Sequence, residues 1–235
     1  YNGTNWTEVN DLNTARYSLG GVGATNTAAL GFGGYGPATT AITETWNGTN
    51  WTEVNDLNTA RKNLAGAGTN TAALAFGGQP TTAVTELWNG TNWTEVNDLN
   101  TARRSIAGCG VNNTAALAFG GSPGAVTGKT ETWNGTNWTE VNDLNTARDG
   151  LGGAGTNTAA LAIGGRVPSA PSTPTAVTEE WNGTNWTEVN DLNTAREYLA
   201  AAGTTTASLA FGGTPATAAT EEFSETGGTT TIDTE

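Results

Sequence analysis

Histidine and methionine are absent from this 235-residue chain, and Cys109 is its only cysteine. Without imidazole, Ser-His-Asp catalysis and His-ligated metal sites are excluded. A lone cysteine rules out an intramolecular disulfide and leaves the redox compartment unread. Charge is also scarce, at 13% of residues, and it is one-sided: 9 Lys and Arg against 22 Asp and Glu give a net −13. Nucleic-acid binding needs a basic stripe, so that class is set aside, and anionic membrane surfaces with it. No apolar run approaches the ~20 residues of a membrane-spanning helix. No signal-peptide pattern is present either.

What the chain has is repetition. Asn-Gly-Thr-Asn-Trp-Thr-Glu-Val-Asn-Asp-Leu-Asn-Thr-Ala-Arg recurs unchanged at 2–16, 47–61, 89–103, 134–148 and 182–196. Successive copies start 45, 42, 45 and 48 residues apart. Periods of this length mean a solenoid, a propeller or an array. The acids recur with the repeat, so the negative charge is part of the framework and reads as a solubility device. The chain opens in mid-repeat at Tyr1 without a Met, which gives the expectation of a trimmed piece.

The unit from Arg61 to Val96 reads as four short strands. Leu64–Thr69 is a strand of small residues, and Ala72–Phe76 is an apolar strand buried on both faces. Gly77-Gly78 stops it, a loop with Pro80 follows, and Val84–Trp88 alternates as a third strand. Asn89-Gly90 is expected to form a type I′ hairpin turn into a fourth strand, Trp93–Val96. Four antiparallel strands per unit describe a propeller blade. The small first strand would lie nearest the axis, where backbones must approach closely.

These residues carry a family resemblance. A Gly-Gly doublet after an apolar strand (Gly33-Gly34, Gly77-Gly78, Gly120-Gly121, Gly164-Gly165, Gly212-Gly213) precedes an aromatic, a Trp five residues on, and an Arg. The pattern resembles the kelch repeat over nearly the whole chain, although the units are shorter than the ~50 residues usual for kelch. The near-identical copies are also similar to repetitive kelch-like proteins of bacteriophage. Counting strands gives a five-bladed all-β propeller over 1–223, with units starting near 1, 46, 88, 133 and 181, where kelch propellers have six or seven blades. Residues Asn5–Val9 would complete the last blade and close the ring, which removes exposed sheet edges. Residues 224–235 would then be a frayed tail. The rival reading gives the last fourth strand to Thr229–Thr234, a segment without Trp.

Several repeated groups invite a chemical reading. The Asn-Gly-Thr and Asn-Trp-Thr triplets are formal glycosylation sequons, but turn chemistry explains them more simply. A Glu between apolar neighbours in the third strand needs a partner. One ion pair per blade is expected between Glu44, Glu86, Glu131, Glu179 and Glu221 and the repeat arginines Arg16, Arg61, Arg103, Arg148 and Arg196. Asp11-type residues are expected to bond their own turns rather than to ring a cation, so neither metal nor cofactor is expected. The missing His also excludes the copper chemistry of kelch-like oxidases. An acid repeated in every unit is poor ground for a single glycosidase-type site. The chain is expected not to be an enzyme.

Differences between units fall in two places, the loop between strands two and three and the pair of residues after each Arg. Both connections emerge on one side of an up-and-down blade. Candidate binding residues are therefore Tyr17, Tyr35, Lys62, Arg104, Arg166 and Tyr198. A rigid scaffold with varied loops suits recognition. The expectation is a monomeric binding or adhesion module for a protein or glycan, at a virion surface or secreted. The alternative is a structural element of a larger particle, or a repeat scaffold with no ligand.

Overall fold

The computed structural model describes residues 1–169, 173–224 and 228–232, and for 228–232 the backbone alone. The chain is all-β: among the described residues there is no helix, and so none long and apolar enough to cross a membrane. Five four-stranded antiparallel sheets form the blades of a propeller.

The first blade is β1 (Gly20–Thr25), β2 (Ala28–Phe32), β3 (Thr43–Trp46) and β4 (Trp51–Val54). The second is β5 (Ala65–Gly68), β6 (Ala73–Phe76), β7 (Thr85–Trp88) and β8 (Trp93–Val96). The third is β9 (Ala107–Asn112), β10 (Ala115–Phe119), β11 (Thr130–Trp133) and β12 (Trp138–Val141). The fourth contains β13 (Gly152–Gly155) and β14 (Ala160–Ile163), then a small hairpin of β15 (Arg166–Val167) and β16 (Thr173–Pro174), then β17 (Thr178–Trp181) and β18 (Trp186–Glu188). The fifth is β19 (Ala200–Gly203), β20 (Ala207–Phe211), β21 (Thr220–Ser224) and β22 (Gly228–Ile232). Order within each sheet follows the chain, so every blade is a meander.

Packing between blades explains the sequence of the second strand. Leu30 and Phe32 of the first blade meet Ala73, Ala75, Trp88 and Trp93 of the second; the same core recurs between the second and third and the third and fourth blades, and between the fourth and fifth Leu161 and Ile163 meet Ala210 and Phe223. Small Ala on one face leaves room for Leu and Phe from the neighbour, and fully burying such a side chain contributes ~1.5–3 kcal/mol. Trp93, Trp138 and Trp186 each lie edge-on to a Phe of the preceding blade, with ring centroids 5.0–5.1 Å apart. Their indole N–H groups donate to Thr43, Thr85 and Thr130 Oγ1 at 3.0–3.1 Å. Each buried Trp therefore has its polar atom satisfied. The first strands line the axis, where Gly and Ala leave a channel of about 290 Å³.

Three local expectations are corrected. The Asn-Gly turns are four-residue loops rather than type I′ turns, because Trp46 pairs with Trp51 and only the Gly has positive φ (+92° at Gly48). The Asn side chain does the rest: Asn47 Oδ1 accepts the N–H groups of Thr49 and Asn50, both at 2.9 Å. Four of the repeat aspartates bond a neighbouring strand, where a bond to their own turn was expected. Asp56 Oδ1 accepts the Thr43 N–H at the start of β3 (3.0 Å), and Asp98, Asp143 and Asp191 do the same in their blades at 3.1 Å.

The third correction concerns closure. Asn5–Val9 does not complete the fifth blade. That strand is β22, paired with β21 from Thr220↔Ile232 to Ser224↔Gly228. The expected tail thus supplies a strand, while 225–227 and 233–235 lie outside the described residues. Chain entropy favours this outcome: a short hairpin costs less to close than a pairing between the two ends of the chain. Residues 1–9 form no strand, although Asn2 builds the usual turn by accepting the Thr4 and Asn5 N–H groups.

Candidate functional site

In the second to fifth blades the repeated Arg is the post on which the variable loop is mounted. Arg61 Nη1 donates to the carbonyls of Gly77 (2.8 Å) and Val84 (2.7 Å), the two ends of the loop between β6 and β7. Its Nη2 donates to Glu86 Oε1 at 2.9 Å. Glu86 is held in turn by the Asn58 N–H (2.7 Å), Asn58 Nδ2 (2.8 Å) and the Thr59 N–H (3.3 Å). The pairs Arg103–Glu131, Arg148–Glu179 and Arg196–Glu221 repeat the arrangement, whereas Arg16 pairs with Glu44 but gives its other bonds to the Thr14 and Gly31 carbonyls; all these side chains are at most 1% exposed.

Burial pulls the pKa of Arg61, Arg103 and Arg148 below the usual guanidinium value, against the attraction of their glutamates. At Glu44 burial pushes the carboxyl up. The bond from Arg16 and the N–H groups of Asn13 and Thr14 outweigh it and hold the group below the ordinary carboxylate value. Arg61 Nε has no partner, which adds to what desolvation costs the ion.

Immediately after each Arg the chain turns to the axis. Lys62 and Gln79 exchange backbone hydrogen bonds, as do Tyr17 and Tyr35, Arg104 and Ser122, Asp149 and Arg166, and Glu197 and Thr214. The two variable regions therefore meet on one face, blade by blade. The next residue has positive φ in every blade: Ser18 (55°), Asn63 (53°), Ser105 (51°), Gly150 (62°) and Tyr198 (54°). Non-Gly residues there cost of order 1 kcal/mol or more and persist only where the surroundings fix them. Here each N–H reaches the matching carbonyl of the preceding blade: Asn63 to Ser18, Ser105 to Asn63, Gly150 to Ser105 and Tyr198 to Gly150, at 2.6–2.9 Å. Around this stair the axial channel opens into a mouth of about 370 Å³, lined by Tyr17, Asn63, Ser105 and Tyr198 among others.

The candidate binding residues fall into three groups on this rim. Tyr17 is 61% exposed and lies 5.4 Å from the Tyr35 ring, over which Lys62 Nζ sits at 4.1 Å. Arg104 stands apart, with Nη1 donating to Thr81 Oγ1 at 3.3 Å. Arg166 grips Asp149 through Nε (2.6 Å) and Nη2 (3.0 Å), and its guanidinium lies 5.6 Å from the Tyr198 ring. The bond to Asp149 raises the Arg166 pKa. Tyr198 is 46% exposed.

Sequence reasoning missed the roles of Asn63 and Ser105, which line the mouth through their backbone strain. It also missed Asp149 and Glu197 as anchors of Arg166. The variable positions were visible, but positive φ has no sequence signal at Ser and Tyr. Cys109 is buried, with its thiol pushed up to about 12, so it is an inert small side chain. The rim offers stacking surfaces, hydrogen-bond donors and fixed charges of both signs. No protein-family model matches the chain, and no curated protein matches it in sequence.

Proposed function

We propose that this protein is a non-enzymatic binding or adhesion scaffold that recognises a protein or glycan through the variable rim. Propellers are commonly binding scaffolds, and function must be argued from the site. The observation that carries the reading is the mounting of the loops. Buried Arg–Glu pairs fix both ends of the loop in the second to fifth blades, and Tyr17 and Tyr198 stand exposed at the mouth. Exposed tyrosines beside amide and hydroxyl groups offer an apolar face with polar neighbours, a surface that suits a sugar ring or a peptide. In this reading the protein acts as a monomer, without metal or cofactor, at a virion surface or as a secreted module of kelch-like type.

The test is glycan-array and cell-binding measurement of the native chain against a Tyr17→Ala, Arg104→Ala, Tyr198→Ala variant. Loss of a specific signal in a folded variant supports the reading. An equal signal from both proteins overturns it. A purely structural role in a larger particle is favoured by a different observation, the constant opposite face. There Asn55 Nδ2 bonds Thr91 O and Asn92 Oδ1 of the next blade, a link repeated by Asn10, Asn97 and Asn142. Assembly lost on altering the Asn-Gly turns, with rim changes harmless, selects that role.

A further inference from the structure

The geometry points to a sixth blade position, walled on both sides and, among the described residues, filled only at its outer edge. We propose that it takes a blade-forming segment of a partner polypeptide carrying the repeat's own strand pattern. Elsewhere a fourth-strand Trp donates to the third-strand Thr of the preceding blade and lies against its Phe. Trp6 makes both contacts with the fifth blade, to Thr220 Oγ1 at 3.1 Å and to the Phe211 ring at 5.1 Å. Toward the first blade, Asn10 Nδ2 reaches Thr49 O (2.8 Å) and Asn50 Oδ1 (2.9 Å), the contacts Asn55 makes with the second blade. Residues 1–10 therefore stand after the fifth blade and before the first at once.

Inside that edge the position is open. A Cβ on Gly77 would meet Arg103 O of the next blade at 2.6 Å, whereas at Gly212 nothing lies within 4 Å. Gly34 N–H donates to Arg61 O at 2.8 Å, and among the described residues Gly213 N–H has no such acceptor. Successive first strands pack side by side from β1 to β19 without a comparable return from β19 to β1. Leu209 and Phe211 on one wall are half-buried where Leu74 and Phe76 are 0% exposed. Ala29 on the other wall is half-buried where Ala73 is 0% exposed.

The four existing interfaces say what covers such walls. In three of them Leu and Phe of one blade pack on Ala and Trp of the next, and in the fourth Leu161 and Ile163 pack on Ala210 and Phe223. One wall offers Leu and Phe, the other offers Ala and Trp, and a blade of this repeat presents the complement of each on its two faces. Tyr1–Val9 already supplies the outer turn, so the occupant needs strands one to three and the Arg–Glu pair. A partner segment of that pattern extends an interface the chain builds four times.

The test uses the full chain and a fluorescein-labelled peptide with the sequence of residues 57–87. Fluorescence anisotropy should give saturable one-to-one binding, at least tenfold weaker for Leu209→Glu and for Ala29→Glu, and absent for a scrambled peptide. Far-UV circular dichroism confirms that the variants are folded, and either wall alone suffices. No saturable binding, or binding that both folded variants leave unchanged, overturns the proposal. So does a chain that sedimentation velocity shows to be a dimer that the peptide cannot dissociate, since the walls would then cover each other.

Discussion

Replacing Glu86 by Ala tests the ion pairs that hold the loops. The carboxylate accepts four hydrogen bonds, from Arg61 Nη2, the Asn58 N–H, Asn58 Nδ2 and the Thr59 N–H. Its removal leaves a guanidinium at 0% exposure without its hydrogen-bonded counter-charge, and only the Coulomb attraction of Asp98 and Glu95 remains. Breaking a buried pair from one side costs about 3–5 kcal/mol. For a domain of this size each kcal/mol moves Tm by about 2–4 °C, so the expected loss is about 12 °C. Scanning calorimetry, with Trp fluorescence in urea as a second probe, reads it directly. Glu86→Gln keeps the acceptor for the N–H groups but loses the charge, and should fall between. The double variant Arg61→Met, Glu86→Leu should recover part of the loss. Full recovery is not expected, because Arg61 also satisfies the carbonyls of Gly77 and Val84. A Glu86→Ala shift below about 3 °C would refute the reasoning.

Gly77→Ala and Gly212→Ala occupy one repeat position, with φ of 65° and 67°. Both incur the left-handed strain of about 1–2 kcal/mol, but only Gly77→Ala also meets a backbone oxygen at 2.6 Å. Its Tm loss should be at least twice as large, and equal losses would mean that the fifth blade has a neighbour. In β22, Thr229 pairs with Phe223 as Trp51 pairs with Trp46. Among the described residues Thr178 Oγ1 receives no indole, and a small cavity lies beside it and Phe223. Thr229→Trp should therefore raise Tm, the upper bound on the added stability being ~4 kcal/mol for an indole burying ~150 Å²; a fall would reject the register. The depressed Glu44 pKa gives stability that is present above the ordinary carboxylate value, about 4, and lost as pH falls through the folded value. Glu44→Gln should flatten the fall in Tm between pH 5 and about 3, and an unchanged acid slope would contradict that.

The blades were legible because their signals are local and repeated. Ala-Ala-Leu-Ala-Phe, the Gly-Gly doublet and the Asn-Gly turn each act within a few residues, and the period multiplies them. The Arg–Glu pairing was also legible, since a Glu between Val84 and Trp88 has only one basic residue repeated as often. Closure was not. Residues 1–9 copy a fourth strand word for word, yet β22, with no Trp, takes the place through its short connection to β21. Identity of sequence lost to proximity along the chain. The rim was legible as a set of variable positions, but which of them touch depends on backbone twists that Asn63 allows by type and that Ser105 and Tyr198 do not announce.

Because each blade leans only on the ones before and after it, cooperativity in this molecule travels along a line. In such arrays stability is a sum of unit and neighbour contributions, and a terminal unit has half the neighbours of an inner one. Amide exchange should accordingly be slowest in β10 and quicken outward in both directions, so that melting advances from the first and fifth blades toward the third.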